Sequence, residues 1–476
     1  MKWMISAALL FLIAPSCFAL DSDWVKKEAK KIGQILQKSS ISSEGLAVYV
    51  AGGEGDPTVV FAQHSEKKLI PASITKLVTA AAAISTFPPG TKFKTGLYSE
   101  ASVDKESLKG NLILKGGGDP SFVSENMWFL VNAFVRTGVK SIEGDLIVDD
   151  SFFDKMRFDS SRQKERVDRA YDAPTGAMSF NWNSVNIFVR PGKKSGEPAL
   201  VFADPDNQYI RVKSKVETVS AGGKTSVSVE RDEDTKGPGD IVIVSGKIVL
   251  DSKEIVVFKN ITQPDLWSGY NLRAFLSQRG IEVKGAVKVG VTPNNAKLLA
   301  ESESKPIQDI LADMNKFSNN YVAEMFTKNM AAATNPPGSI EKGMKVLNQY
   351  LIKIGVPATQ FELFNPSGLT RDNRMSAQAL WKVLNDMKFQ FRYQPEFVTS
   401  LPIAGIDGTL KNRMKEGPAE RWVRAKTGFL TGVVSLAGYA GRRDGTVLPF
   451  VLMYNGSADE NKVRALFDQI AVSLVE

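Results

Sequence analysis

Residues 71–84 read Pro-Ala-Ser-Ile-Thr-Lys-Leu-Val-Thr-Ala-Ala-Ala-Ala-Ile. Alanine, leucine and lysine favour helix, and proline is tolerated at a helix start, so the stretch predicts an apolar helix that follows Pro71 and is closed by Pro88, Pro89 and Gly90. Ser73 and Lys76 stand three residues apart and so share one face of that helix. A serine hydroxyl is a weak nucleophile until a base takes its proton, and a lysine can be that base when burial or a second cation keeps it neutral. The helix N-terminus also favours negative charge developing near Ser73. The same spacing recurs at Ser65 and Lys68, Ser102 and Lys105, Ser161 and Lys164, and Ser339 and Lys342. Only Ser73 opens an apolar helix after an X-Pro stop.

On either side of this helix the pattern is mixed. Residues 24–38 place Val25, Ile32, Ile35 and Leu36 among lysines at helical spacing, and GLAVYVAGG and TVVFAQH predict a hairpin. From about Thr91 to Val291 short β-branched runs such as NLILKGGGDP, VNIFVRP and GDIVIVSGKIVL alternate with Gly, Pro, Asp and Asn, and RDEDTKGPGD reads as an exposed turn. Helical segments dominate after Lys297, and the chain ends on three strand-like runs, RWVRAKTG, VVSLAGYAG and LPFVLMYNG, with a closing helix in NKVRALFDQIAVSL. The fold class expected is multidomain α/β, with early and late strands completing one layered unit and the β-rich stretch inserted between them.

Composition removes several chemistries. The 476 residues contain one histidine, His64, and one cysteine, Cys17. No multi-histidine metal site can be built from this, so no metal and no cofactor is expected. A Ser-His-Asp triad through His64 lacks any nucleophile elbow, which leaves His64 as a polar residue at a strand end. Residues 1–19 carry Lys2, an apolar run and small residues before Ala19, the pattern of an export signal whose removal takes Cys17 with it. The rival reading, lipidation at Cys17, fits poorly with APSC. No later run approaches the 20 or so apolar residues of a membrane span. The formal charge of +8 is scattered, without a nucleic-acid tract. It suits peripheral association with an anionic wall or membrane surface as well as plain solubility.

Two distant pieces complete a set with Ser73 and Lys76. Ser318-Asn319-Asn320 precedes a helix and offers a hydroxyl and an amide two residues apart. Lys426-Thr427-Gly428 lies in a strand and offers a cation, a hydroxyl and a backbone that another chain can approach closely. Each alone is ordinary; their order along the chain is informative.

With PASITKLVTAAAAI, LKGGGDPSF, FSNNYVAEMF, PSGLTRDNRMS, LPIAGIDGTL and AKTGFLTGVVSLAGY, the chain from about Gly45 onward resembles the D-alanyl-D-alanine carboxypeptidase and endopeptidase family. The likeness is to its large-insert type, the class C low-molecular-mass penicillin-binding proteins. The resemblance implies a penicillin-binding transpeptidase/β-lactamase-like catalytic domain, helices around an antiparallel sheet, with two inserted β-rich domains. The expected division is a signal peptide at 1–19, catalytic parts at 20–90 and 295–476, one inserted domain at 91–187 and 260–294, and a second at 188–259. It further implies Ser73 as the acylated nucleophile, Lys76 as base, Ser318 in proton transfer, Asn320 on the substrate amide, Lys426 for electrostatics and Thr427 on the substrate carboxylate. The resemblance also implies that Gly428 lines the substrate strand and that the N–H groups of Ser73 and Phe429 would form the oxyanion hole. The implied partners are peptidoglycan stem peptides and, as covalent inhibitors, β-lactam antibiotics.

Relatives of this kind carry Ser or Thr after the third motif, where a hydroxyl holds the terminal carboxylate; here the residue is Phe429. Its N–H can still serve the oxyanion, but the ring cannot replace the hydroxyl, and Thr431 or an arginine is the expected substitute. A β-lactamase and a noncatalytic wall-binding protein are the alternative functions.

Overall fold

The computed structural model describes residues 20–53, 56–162 and 166–476. The expected export signal at 1–19, with Cys17, and the lysine at 164 lie outside the described residues. A five-stranded sheet organises the catalytic unit, in the order Thr58–Gln63, Leu46–Gly52, Val447–Asn455, Val433–Gly441, Val423–Leu430, with every neighbouring pair antiparallel. Two strands come from the front of the chain and three from its end.

Alternation along Leu46–Gly52 explains the layering, because successive side chains point to opposite faces. Ala47, Tyr49 and Ala51 join one core with residues of the helices Lys76–Thr86, Asn320–Thr334 and Ala377–Phe389. Leu46, Val48 and Val50 join a second core with the helices Ser22–Lys38 and Glu460–Val475. The strand is buried along its whole length, so a charge at Val48 would sit unpaired between two layers. Each fully buried Val or Leu contributes about 1.5–3 kcal/mol.

The stretch between the sequence halves forms sheets of its own over a third core. A mixed sheet runs Val287–Val289, Leu146–Asp149, Leu112–Gly116, Lys94–Ser99, Lys297–Glu303, and the helices Ser124–Val135 and Pro264–Gln278 contribute buried side chains to the core on it. Two three-stranded sheets follow in the chain, one of Leu200–Asp204, Ser184–Arg190 and Ile255–Asn260, the other of Ile210–Val219, Asp240–Val249 and Ser226–Glu233. Strand pairing shifts two of the expected boundaries. Lys297–Glu303, assigned by position to the second catalytic part, is an edge strand against Lys94–Ser99, and Ser184–Arg190 runs across the 187/188 division. Both follow from hydrogen-bond partners distant in sequence, which local composition does not encode.

Candidate active site

Ser73 lies on a 3₁₀ turn, Ala72–Thr75, and the α-helix proper is Lys76–Thr86. The α-helix expected from Ser73 thus begins three residues later. Ala72 adopts a left-handed φ of 50° and the Thr75 hydroxyl donates to its carbonyl at 2.9 Å, which fixes the tight turn. With three residues per turn, positions i and i+3 eclipse, so the turn stacks Lys76 over Ser73 more directly than an α-helix would.

Lys76 is fully buried. Its Nζ lies 3.1 Å from Ser73 Oγ, 2.7 Å from Asn320 Oδ1 and 2.6 Å from the Ser367 carbonyl. Burial holds its amine well below the usual lysine range and the nearby Lys426 cation pushes the same way, with Glu324 opposing. A neutral amine has two N–H groups and one lone pair. Committing the N–H groups to the two short carbonyl contacts leaves the lone pair for the Ser73 hydroxyl, the geometry of a general base.

Ser318 sits between two helices, Ile307–Lys316 and Asn320–Thr334. It has a left-handed φ of 56°, and the Asn319 side chain caps the second helix by accepting from Val322 N at 3.2 Å. The break aims the Ser318 hydroxyl at Lys426, whose Nζ donates to it at 2.8 Å and to the Thr427 carbonyl at 2.9 Å. Lys426 is also fully buried, and desolvation pulls its amine down to about 7. Asn320 bridges outward: its Oδ1 receives Lys76 while its Nδ2 donates to the Tyr171 carbonyl at 3.0 Å.

Lys426 and Gly428 belong to Val423–Leu430, whose outer edge is covered only in part. Ala425 N donates to the Pro402 carbonyl and Ala404 N to the Val423 carbonyl, so residues 402–404 occupy the upstream edge. Parity along the strand puts the main-chain groups of Thr427 and Phe429 on that same edge, beyond the covering segment. Gly428 faces inward, where an added Cβ would lie 3.1 Å from Ser73 N and 2.8 Å from the Pro71 carbonyl. Glycine is what allows this strand to pack so closely on the Ser73 turn.

The sequence profile of the D-Ala-D-Ala carboxypeptidase 3 (S13) family matches residues 28–475. The chain belongs to that family. A D-alanyl-D-alanine carboxypeptidase from an Actinomadura species is 30% identical over 431 residues, which span 88% of this chain and 79% of that protein. The D-alanyl-D-alanine carboxypeptidase DacB of Haemophilus influenzae is 27% identical over 400 residues, 82% of this chain and 81% of the other. The crystal structure of penicillin-binding protein 4 from Haemophilus influenzae superposes with a TM-score of 0.78 at 25% identity, covering 93% of this chain and 98% of that one. The multidomain α/β fold, with its penicillin-binding catalytic unit, is shared with that structure.

Within this family member, hydrogen bonds join Ser73, Lys76 and Asn320 in one group and Ser318 with Lys426 in another, and Gly428 packs on the first. Thr431 is not drawn in: it occupies the exposed turn after the strand, and its carbonyl accepts from Arg371 at 2.8 Å. The Phe429 ring lies under the Arg464 guanidinium, 4.5 Å away, on the closing helix. His64 engages the Leu46 carbonyl at 3.1 Å, the strand-end role expected of it.

Two contributors escaped the sequence reading. Ser367 acts through its carbonyl, which any residue possesses, so side-chain chemistry gives no signal for it. Thr409 lies beside Thr427, with their hydroxyls 2.8 Å apart; the string LPIAGIDGTL contains it, but nothing local reveals that it meets the third motif.

Proposed function

We propose that Ser73 is the nucleophile and Lys76 the base of a serine-type DD-carboxypeptidase and endopeptidase acting on peptidoglycan stem peptides. The observation that carries this reading is the buried Lys76 amine, 3.1 Å from Ser73 Oγ and within hydrogen-bond reach of two carbonyl acceptors, a setting in which the neutral amine turns its lone pair to Ser73. Neutral Lys76 takes the Ser73 proton as Ser73 Oγ attacks the penultimate D-alanyl carbonyl. The N–H groups of Ser73 and Phe429 stabilise the resulting oxyanion, an interaction of a few kcal/mol per donor. The C–N bond then breaks, and the proton returns to the leaving amine through the Ser318 hydroxyl, which Lys426 polarises. The amine is terminal D-alanine or the side-chain amine of a neighbouring stem. Water hydrolyses the Ser73 ester and regenerates the hydroxyl and the neutral lysine.

Asn320 holds the substrate amide and Thr427 its carboxylate, while the open edge of Val423–Leu430 accepts the peptide as an added strand. The Thr409 hydroxyl, beside that of Thr427, stands where it can share the carboxylate contact, whereas Thr431 lies in the exposed turn after the strand. β-Lactams acylate Ser73 but retain their amine on the acyl group, so the ester persists. The reaction belongs outside the cytoplasmic membrane, in the periplasm or wall space where the substrate is found, with the inserted domains lying beside the cleft.

Wild-type and Ser73→Ala protein incubated with cross-linked and uncross-linked wall fragments provide the test, with products identified by mass. Release of D-alanine and of uncross-linked stems by wild type alone is the expected result. Products from the Ser73→Ala protein would overturn the nucleophile assignment. Rapid turnover of a chromogenic β-lactam in place of stoichiometric trapping would transfer the chain to β-lactamase chemistry. Failure of the folded protein to bind fluorescent penicillin would leave only a noncatalytic wall-binding role.

A further inference from the structure

The two carbonyl acceptors that hold Lys76 come from different walls of the cleft, yet both are braced by the inserted region. Asn320 Nδ2 donates to the Tyr171 carbonyl at 3.0 Å. Ser367 belongs to a loop whose Leu369 carbonyl accepts from Arg162 Nη1 at 2.6 Å, and whose Asn365 Nδ2 donates to Asp159 Oδ2 at 2.7 Å. Asn365 Oδ1 in turn accepts from the N–H groups of Ser367 and Leu369 at 2.9 and 3.2 Å, so the loop that presents the Ser367 carbonyl is tied to the insertion from both sides. Asp172, next to Tyr171, closes the arrangement. Its Oδ2 lies 3.3 Å from Arg162 Nη2, 3.1 Å from Arg166 Nε and 2.8 Å from Val167 N, and its main-chain carbonyl accepts from Asn260 Nδ2 at 2.7 Å. The side chains of Arg162 and Asp172 are 7% and 4% exposed.

We propose that Arg162, through its ion pair with Asp172 and its hydrogen bond to the Leu369 carbonyl, is a positioning residue for Lys76. The inserted region is thereby part of the catalytic apparatus. The inference rests on the reading of Lys76 as the base. Arg162 contacts both the 367–369 loop and the segment that fixes Asn320, beside the separate ties of Asp159 to Asn365 and of Arg166 and Asn260 to Asp172, so its loss loosens the spacing of the two acceptors of Lys76. Displacement of a catalytic group by about 1 Å can cost about 100-fold in rate.

The charged groups acting on the amine are Lys426 from the edge strand and Glu324 from the helix Asn320–Thr334; Asp159, Arg162, Arg166 and Asp172 of the insertion act in turn on Glu324. Removing Arg162 takes away a cation that holds the Glu324 carboxyl down. Glu324, the carboxylate that favours protonated Lys76, is then neutral over a wider pH range, so the acid limb of the acylation rate moves to lower pH.

Full-length wild type, Arg162→Met and Arg162→Lys are reacted with a fluorescent penicillin from pH 5 to 9, and rates are normalised to the sites acylated at completion. Arg162→Met is expected to acylate roughly 10- to 100-fold more slowly per site, with its acid limb at lower pH. Arg162→Lys keeps the charge but loses the two-armed contact, and is expected to fall between. Wild-type rate per site and an unmoved acid limb in Arg162→Met, with only a lower Tm or fewer competent sites, would reduce Arg162 to a brace of the fold. If Arg162→Met does not accumulate as folded protein, a wild-type rate and limb in Arg162→Lys overturn the proposal equally. Absence of acylation in wild type would instead defeat the reading of Ser73 and Lys76 on which this depends.

Discussion

Replacing Gly428 by alanine tests the packing that aligns the oxyanion donors. The new Cβ would fall 2.1 Å from Ser435 Oγ, 2.8 Å from the Pro71 carbonyl and 3.1 Å from Ser73 N. The hydroxyl can rotate, at the cost of its 2.7 Å bond to the Pro71 carbonyl, about 1 kcal/mol. The two main-chain contacts cannot rotate away, because Pro71 is buried and the strand is fixed to Val433–Gly441 by its ladder. Relief therefore requires the strand and the Ser73 turn to separate by about 0.5 Å, which moves the Phe429 N–H away from the oxyanion position. Loss of one such donor costs about 10²–10³ in kcat, so a partial misalignment is expected to slow acylation by about 100-fold. Overpacking of this kind lowers stability by about 1–3 kcal/mol. Stopped-flow acylation by a fluorescent penicillin, alongside thermal unfolding, separates the two effects. Adding Ser435→Ala is expected to restore part of the stability and little of the rate, since it removes only the hydroxyl clash. A folded Gly428→Ala protein that acylates within threefold of wild type would refute the reasoning.

Lys76→Met is expected to lower Ser73 acylation by at least about 10³-fold, since base catalysis and nucleophile activation are lost together; a normal penicillin burst would remove Lys76 from the mechanism. The Lys76 amine is depressed by burial and by Lys426, so it stays neutral to lower pH than a free lysine, and acylation falls as pH drops through its value. Lys426→Gln removes the repelling cation and is expected to move that acid limb to higher pH, read from kcat/KM against pH; a limb that stays put or moves down would contradict the coupling. Phe429→Thr places a hydroxyl on the same strand face as Thr427 and releases the ring from Arg464. Cleavage of terminal D-Ala-D-Ala is expected to rise relative to cross-link cleavage by roughly tenfold, the worth of one hydrogen bond to a carboxylate; an unchanged ratio of kcat/KM values would end that account of specificity.

Much of this fold is legible without coordinates. The hairpin, the closing strands and the helices before and after them have strong local patterns, and the burial of Leu46–Gly52 on both faces follows from its apolar run. Ser73 and Lys76 sit within one turn, so their meeting is a local matter. Less legible were the start of the α-helix and the edges of the insertion. Whether Ser73 lies in a 3₁₀ or an α turn depends on Ala72 accepting a positive φ under tertiary pressure, and Lys297–Glu303 acquires its place only by pairing with Lys94–Ser99.

The sequence by itself determined the pairing of Ser73 with Lys76 on one turn, the order of the three motifs and the alternation that layers the sheet, because each depends on residues near one another or on a period of two or three. Tertiary structure alone decided what surrounds the Lys76 amine and the third motif. The Ser367 carbonyl, the Tyr171 carbonyl behind Asn320, the Arg162–Asp172 pair and the Thr409 hydroxyl come from segments far apart in the chain. Main-chain carbonyls carry no residue signature, and charge burial is a property of the packed assembly, so neither is written in any local string.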